Sequence, residues 1–396
     1  MKYSRSFVAR SLFLLSVALL PVDASLAALD RFDPYVSAKI LNDSNIFRVS
    51  GDFDNEKSET VKTLGVGLNS DLKLSRQHLL LDVEVERVKY DSLGDLDHTR
   101  VDGRGTWAWE VGNLWSGNLG YGYNRELASF NQRISTDKDM RATHTGFFSA
   151  GYQIHPDWRM IGKLDYTDAS YQEQDFLDRD RTAGTLEVQY ANTRNTYVGV
   201  RVIYGKNGLR NTNIAGVSID NDYDEKEISG IFRWQGSAKS TLEANLGYTD
   251  LKYNDLDDRD YQGTTGRLTY FWSLTGKTKI DISVWRETSS LYDEITTYVL
   301  QKGASIRPVW SVTPKINISG EIIYTNDDFK GRNDIAAALG GQRRDDDTWQ
   351  YRIGASWDPR RYLQVSVNYS REDRDSSIDA IDYDNDRVEA KVRLTY

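Results

Sequence analysis

Cysteine is absent from the 396-residue chain, which removes disulfides, thiolate nucleophiles and sulfur-bound metals from consideration. Only four histidines occur, His78, His98, His144 and His155, and no Ser–His spacing points to a lipase-like triad. Basic residues do not dominate either. Fifty Lys and Arg stand against 59 Asp and Glu, a net charge of -9, and nucleic-acid binding calls for clustered cations that this balance does not supply. Past the N-terminal segment no apolar run is long enough for a transmembrane helix, which needs about 20 residues.

The one apolar run, Ser11–Leu20, follows Lys2, Arg5 and Arg10 and precedes the small residues Ser25-Leu26-Ala27. That order predicts a secretory signal peptide over residues 1–27. Its removal would leave 369 residues (396 − 27). Three basic residues and one acidic residue go with it, so the net charge moves from -9 to -11. An exported chain without membrane helices either stays in water or crosses a bilayer as strands. A mean hydropathy of -0.60 does not decide between them, because a barrel gives only every second residue to lipid.

What the chain has in excess is tyrosine, 24 residues, with 10 tryptophans, rings that favour a bilayer interface. It also has alternation. Val388, Ala390, Val392, Leu394 and Tyr396 share one parity, while Glu389, Lys391 and Arg393 share the other, as in a strand between lipid and a watery lumen. Outward sets of the same kind recur, among them Leu79, Leu81, Val83 and Val85, then Val198, Val200, Val202 and Tyr204, then Trp349, Tyr351 and Ile353. Eighteen such stretches are countable. The expected fold is therefore all-β, a transmembrane antiparallel up-and-down β-barrel of 16–18 strands filling residues 28–396 as one domain.

The connections alternate as well. Short turns at Ser75–Arg76, Gly112–Asn113, His155–Pro156, Asn192–Arg194, Gly236–Lys239, Thr275–Lys277, Ser311–Thr313 and Asp358–Arg360 are expected in the periplasm. Long loops, including Leu127–Met140, Gln172–Asp180, Lys206–Asp224, Asp327–Asp347 and Glu372–Asn385, are expected outside. Proline is scarce, and Pro34, Pro156, Pro308, Pro314 and Pro359 are all expected before the first strand or at the short turns, never mid-strand. Trp109, Trp115, Trp158, Trp234, Trp272, Trp310 and Trp357 lie near the short turns and predict a ring of indoles at that interface. A β-sandwich or propeller also has short alternating strands. It gives no reason for long acidic loops at every second connection.

Parity predicts a lumen wall of mixed sign. Glu84, Glu86, Asp102, Glu187, Glu243 and Asp281 face inward with Arg104, Lys163, Arg201, Arg233, Arg267 and Arg352. The candidate binding wall is Glu84, Glu86, Arg104, Lys163, Arg201, Arg233, Arg267 and Arg352, with balanced sign and weak charge selection. Glu84 and Glu86 could form a glycosidase pair, but carboxylates this common meet by chance, and no catalytic residue, cofactor or metal is expected. The runs Asp220–Asp224 and Asp382–Asp386 place oxygens at alternate positions as calcium loops do. Arg387 and Arg393 fall where an EF-hand has Gly and Glu, so both runs are read as solvated acidic loops.

The N-terminal third adds a resemblance. Asp33-Pro34-Tyr35-Val36-Ser37, Asn45-Ile46-Phe47-Arg48, Ser75-Arg76-Gln77-His78-Leu79, Trp107-Ala108-Trp109 and Ala128-Ser129-Phe130 resemble the EpsL-type outer-membrane proteins that are encoded with exopolysaccharide biosynthesis genes. The resemblance implies a barrel in a Gram-negative outer membrane that helps export a polysaccharide with periplasmic export components, in contact with outer-membrane lipid. Two other readings stand beside it: a general diffusion porin, and a barrel plugged by the Lys206–Asp224 and Asp327–Asp347 loops with a scaffold or enzymatic role.

Overall fold

The computed structural model describes residues 32–51, 56–132, 135–191, 196–214, 217–289, 298–330 and 344–396. The expected signal segment and the turn Asn192–Arg194 lie outside the described residues. The strands are β1 (Phe32–Asp43), β2 (Glu59–Leu74), β3 (Gln77–Tyr90), β4 (His98–Val111), β5 (Trp115–Leu127), β6 (Met140–His155), β7 (Trp158–Tyr171), β8 (Arg179–Ala191), β9 (Tyr197–Leu209), β10 (Thr212–Ile214), β11 (Val217–Ile219), β12 (Tyr223–Ser237), β13 (Ser240–Tyr253), β14 (Tyr261–Trp272), β15 (Thr278–Ser289), β16 (Tyr298–Thr313), β17 (Ile316–Lys330), β18 (Asp345–Arg360), β19 (Leu363–Ser376) and β20 (Tyr383–Thr395). Apart from the small β10–β11 hairpin, each pairs antiparallel with its chain neighbours, and β20 returns to β1, closing an 18-stranded barrel.

Period-two patterning is what builds this wall. In β2, Leu64 and Val66 point out while Thr63 and Gly65 point in, and the opposing residues of β1, Ala38 and Val36, share the outer face. Leu64 and Leu246 keep 68% and 71% of their surface uncovered by protein. Apolar surface of that extent around a whole ring is stable only against hydrocarbon. At the seam, Val36, Ala38 and Ile40 sit opposite Leu394, Val392 and Ala390, and the Tyr396 N–H donates to the Pro34 carbonyl at 2.8 Å.

Aromatic belts mark the two interfaces. At the short-turn end Trp115 packs on Tyr152 (4.6 Å between centroids) and Trp158 on Tyr190 (5.2 Å). At the other end His144 lies against Tyr123 (4.9 Å), and Trp349 between Tyr324 (4.9 Å) and Tyr351 (6.0 Å). Strands of 12–16 residues exceed the 9–11 that a bilayer requires, and the surplus carries the barrel beyond the upper belt.

Proline breaks the expected rule twice: Pro34, expected before the first strand, is the third residue of β1, opposite Leu68 of β2. Pro308 lies inside β16, not at its turn. The pairing with β17 lapses there, between Ile306 opposite Ile322 and Val309 opposite Ser319. A Cβ added at Gly320 would come within 3.3 Å of the Pro308 ring, so glycine opposite is what leaves room for it.

Acidic residues at the long-loop end build turns. The Tyr90, Tyr171 and Tyr253 N–H groups donate to the carboxylates of Asp97 (2.9 Å), Asp178 (2.7 Å) and Asp260 (2.8 Å). Each bond spans seven residues and encloses a 3-10 turn: Gly94–Leu96, Asp175–Leu177 and Asp257–Arg259. Ser376 and Asp382 repeat the bond one residue shorter, at 2.6 Å. Buried carboxylates brace these turns from the neighbouring strand. Glu59 accepts from the Asp91 and Ser92 N–H groups, and Asp139 from those of Gln172 and Glu173. Asp43, Glu59, Asp139 and Asp346 are buried, which a carboxylate tolerates only when hydrogen-bonded.

Candidate functional site

All eight candidate wall residues face the lumen, and seven have a charged partner on the wall. Arg201 meets Glu187 at 2.8 Å, Arg233 meets Glu243 at 2.9 Å, and Lys163 meets Asp165 at 2.7 Å. Arg267 pairs with Glu287 at 2.6 Å and lies 4.7 Å over the Trp285 ring. Glu86 is buried against Arg100 at 3.3 Å. Glu84 accepts from Ser37 at 3.2 Å with Lys391 at 3.9 Å. Arg104 stands opposite Asp82. The residues do not converge on one point; they are distributed around the ring.

The two wall glutamates thus have separate partners. Parity also placed residues whose importance it could not rank. Glu321 of β17 lies between two arginines, Arg307 of β16 and Arg352 of β18, the latter at 2.8 Å. This triad borders a recess of about 480 Å³ with Asn368, Ser370 and Arg387. Most of these side chains remain partly open to the lumen, where an ion pair contributes at most about 1 kcal/mol. Their chief effect is to cancel each other's field.

The long-loop end of the strands forms the mouth of the barrel. At the end of β1, Asp43 is fully buried and holds two guanidiniums, those of Arg48 (2.9 Å) and Arg387 (2.8 Å). Arg48 also donates to the Asn45 carbonyl, and its backbone takes a left-handed φ of 58°, a conformation costly for a residue with a side chain. Asn45 fixes the same turn to β20, its amide donating to the Asp384 carbonyl at 3.2 Å and its N–H to Asn385 at 3.0 Å.

From this anchored turn Phe47 meets Phe130 of the β5–β6 loop edge-on, with centroids 5.0 Å apart. One residue on, the Asn131 carbonyl accepts from Arg374 of β19 at 3.2 Å. Strands β20 and β1 to β4 separate β19 from β5 around the ring, so this contact reaches over the lumen. The loops expected to plug the barrel differ. Lys206–Asp224 carries the β10–β11 hairpin and bonds its neighbours at the rim: Arg210 to the Asp175 carbonyl (3.2 Å), and the Asp220 N–H to Asp255 (2.8 Å). Most of Asp327–Asp347 lies outside the described residues.

Sequence periodicity missed the mouth residues because loops have no period. The segments Asn45–Arg48 and Ala128–Phe130 were visible only as the motifs quoted for a family resemblance. Among the described residues no group of carboxylates and histidines has the arrangement of a metal site. Within the two acidic runs, Asp222 accepts from the Leu209 N–H at 2.8 Å, and Asp384 and Asp386 face Arg371.

A model of the family described as "Putative beta-barrel porin 2" matches residues 32–396. No curated protein matches the chain. Among solved structures, that of OpdK from Pseudomonas aeruginosa with vanillate superposes with a TM-score of 0.53 at 11% identity, covering 93% of this chain and 99% of that one. OccK2 (OpdF) from the same organism gives 0.51 at 11% identity over 92% and 98% of the two chains. A BenF-like porin from Pseudomonas fluorescens Pf-5 gives 0.50 at 11% over 92% and 98%. At such identities the likeness is one of fold.

Proposed function

The chain belongs to this β-barrel porin family and is a porin-like outer-membrane barrel; from that premise we propose that it is a general diffusion channel of a Gram-negative outer membrane, passing small hydrophilic solutes with little preference for charge. One observation carries the reading. Acid and base alternate around the lumen and are joined across neighbouring strands, as in Arg201–Glu187, Arg233–Glu243 and Arg307–Glu321–Arg352. A wall neutralised locally neither captures nor repels an ion strongly, and its polar groups exchange hydrogen bonds with a passing solute at nearly no net cost. Eighteen strands leave an aqueous bore, and the contact of Phe47 with Phe130 limits the size of what enters. No catalytic step belongs to this function.

The test is electrical and osmotic. In planar bilayers the purified protein is expected to give steps of sizeable conductance with a reversal potential near zero in a KCl gradient. In liposomes it is expected to admit sugars at rates that fall steeply with mass. A silent or strongly ion-selective protein would defeat the proposal.

A second reading, export of an extracellular polysaccharide with periplasmic components, has one observation in its favour: the segments Asn45–Arg48 and Ala128–Phe130, which resemble EpsL-type proteins, meet at the mouth. It requires that a deletion strain retain polymer in the periplasm. Normal surface polymer in that strain would leave diffusion alone.

A further inference from the structure

The outer face of β2 and β3 changes character above its lipid-facing band. Going up, Leu64, Val66, Val83 and Val85 give way to Lys62, Arg87 and Lys89, all on the outward parity. Lys62 and Lys89 are direct partners across the ladder, and Arg87 lies one step below, opposite Leu64. Arg125 of β5, opposite Val101, extends the patch beyond the Tyr121–Tyr123 part of the upper belt. Two cations set directly opposite each other on neighbouring strands repel, so the pair is stable where an anion lies over it.

The protein supplies little of that anion. Asp91 meets Lys62 at 2.7 Å, and Arg87 has only the Thr99 hydroxyl at 3.4 Å. Neither Lys89 nor Arg125 has a carboxylate partner among the described residues. Elsewhere on the same outer face the pattern is the opposite. Asp224 stands between Lys206 and Lys252, and Lys226 stands opposite Asp250. Those cations are matched within the sheet.

We infer that the outward patch Lys62, Arg87, Lys89 and Arg125 is a docking site for the phosphate groups of an acylated glycolipid in the outer leaflet. Charge complementarity selects the phosphates. The apolar residues directly beneath select the acyl chains, which lie along Leu64, Val66, Val83 and Val85 while the headgroup meets the cations. Because the patch is on the outside of the wall, it does not depend on what passes through the lumen.

The experiment uses the delipidated full-length barrel in detergent, with bis-phosphorylated lipid A, its dephosphorylated counterpart and inorganic phosphate as separate probes. Bound lipid is counted by native mass spectrometry. The wild type is expected to retain the phosphorylated lipid and lose the dephosphorylated one. The variant K62Q/R87Q/K89Q is expected to bind about a hundredfold more weakly, the loss that three interfacial cations imply. The control K226Q/K252Q is expected to bind as the wild type. Folding of both variants is checked by the heat-dependent mobility of the barrel on gels. Equal retention of the dephosphorylated lipid, unchanged binding by the folded triple variant, or equal affinity for inorganic phosphate would each overturn the assignment.

Discussion

Replacing Glu321 with glutamine is the sharpest probe of a neutralised lumen. The carboxylate accepts from Arg307 and from Arg352 at 2.8 Å, and its side chain is 15% exposed against 49% and 58% for the two arginines. Glutamine keeps the shape and removes one negative charge, so a site of net +1 becomes +2. An added unit charge acts on an ion passing at about 7 Å in water with about 0.6 kcal/mol. Screening with a Debye length of about 10 Å at 0.1 M salt roughly halves that. Attraction of the anion and repulsion of the cation act together, so the anion-to-cation permeability ratio should rise about threefold at 0.1 M. At 1 M, where the Debye length is about 3 Å, the effect should nearly vanish. The reversal potential across a planar bilayer under a KCl gradient reads this directly. An unchanged potential at 0.1 M, or a shift of equal size at 1 M, would refute the claim that paired charges set the weak selectivity of this pore.

Three further outcomes are expected. Phe47→Ala should raise single-channel conductance and the upper mass of admitted sugars in liposome swelling, while costing only about 1 kcal/mol of stability for the lost aromatic pair. A Cβ at Gly67 would overlap the Tyr35 ring, which itself lies 3.5 Å below the Arg393 guanidinium; Gly67→Val should therefore destabilise the barrel by about 1–3 kcal/mol in guanidinium unfolding, and Tyr35→Ala in the same chain should restore much of it. Leu246→Arg, which puts a charge on the most exposed lipid-facing leucine among the described residues, should cost about 2–4 kcal/mol in refolding into lipid vesicles if the residue lies near the midplane. A cost below 1 kcal/mol would place Leu246 at the interface.

The barrel was legible because a strand between lipid and water writes its two environments into alternate residues. The same parity put Glu84, Arg201 and Arg352 on the lumen face. It could not give their partners. Arg201 reaches Glu187 directly across the ladder, and Arg267, opposite Trp285, reaches Glu287 on the diagonal; the register that allows both is fixed by turn geometry and not by hydrophobic pattern. The mouth was illegible for a related reason: the left-handed Arg48 and the buried Asp43 form a local, aperiodic structure whose charges look like surface charges in the sequence. The sevenfold spacing of Tyr90 and Asp97, repeated at Tyr171 and Asp178 and at Tyr253 and Asp260, was present in the letters. Its signal is a backbone hydrogen bond to a side chain, which no measure of hydrophobicity registers. Pro308 misled because the glycine that accommodates it, Gly320, lies on another strand.

The joining of β20 to β1 bears on biogenesis. Until Tyr383–Thr395 is laid alongside Phe32–Asp43, both flanks of the unfinished hoop present naked amides, which neither hydrocarbon nor a crowded periplasm leaves unclaimed. A partly made hoop is thus adhesive at two rims at once, and the rims belong to opposite ends of the polypeptide. Closing the hoop silences both rims in one step, with the Tyr396 amide on the Pro34 carbonyl as one of the clasps.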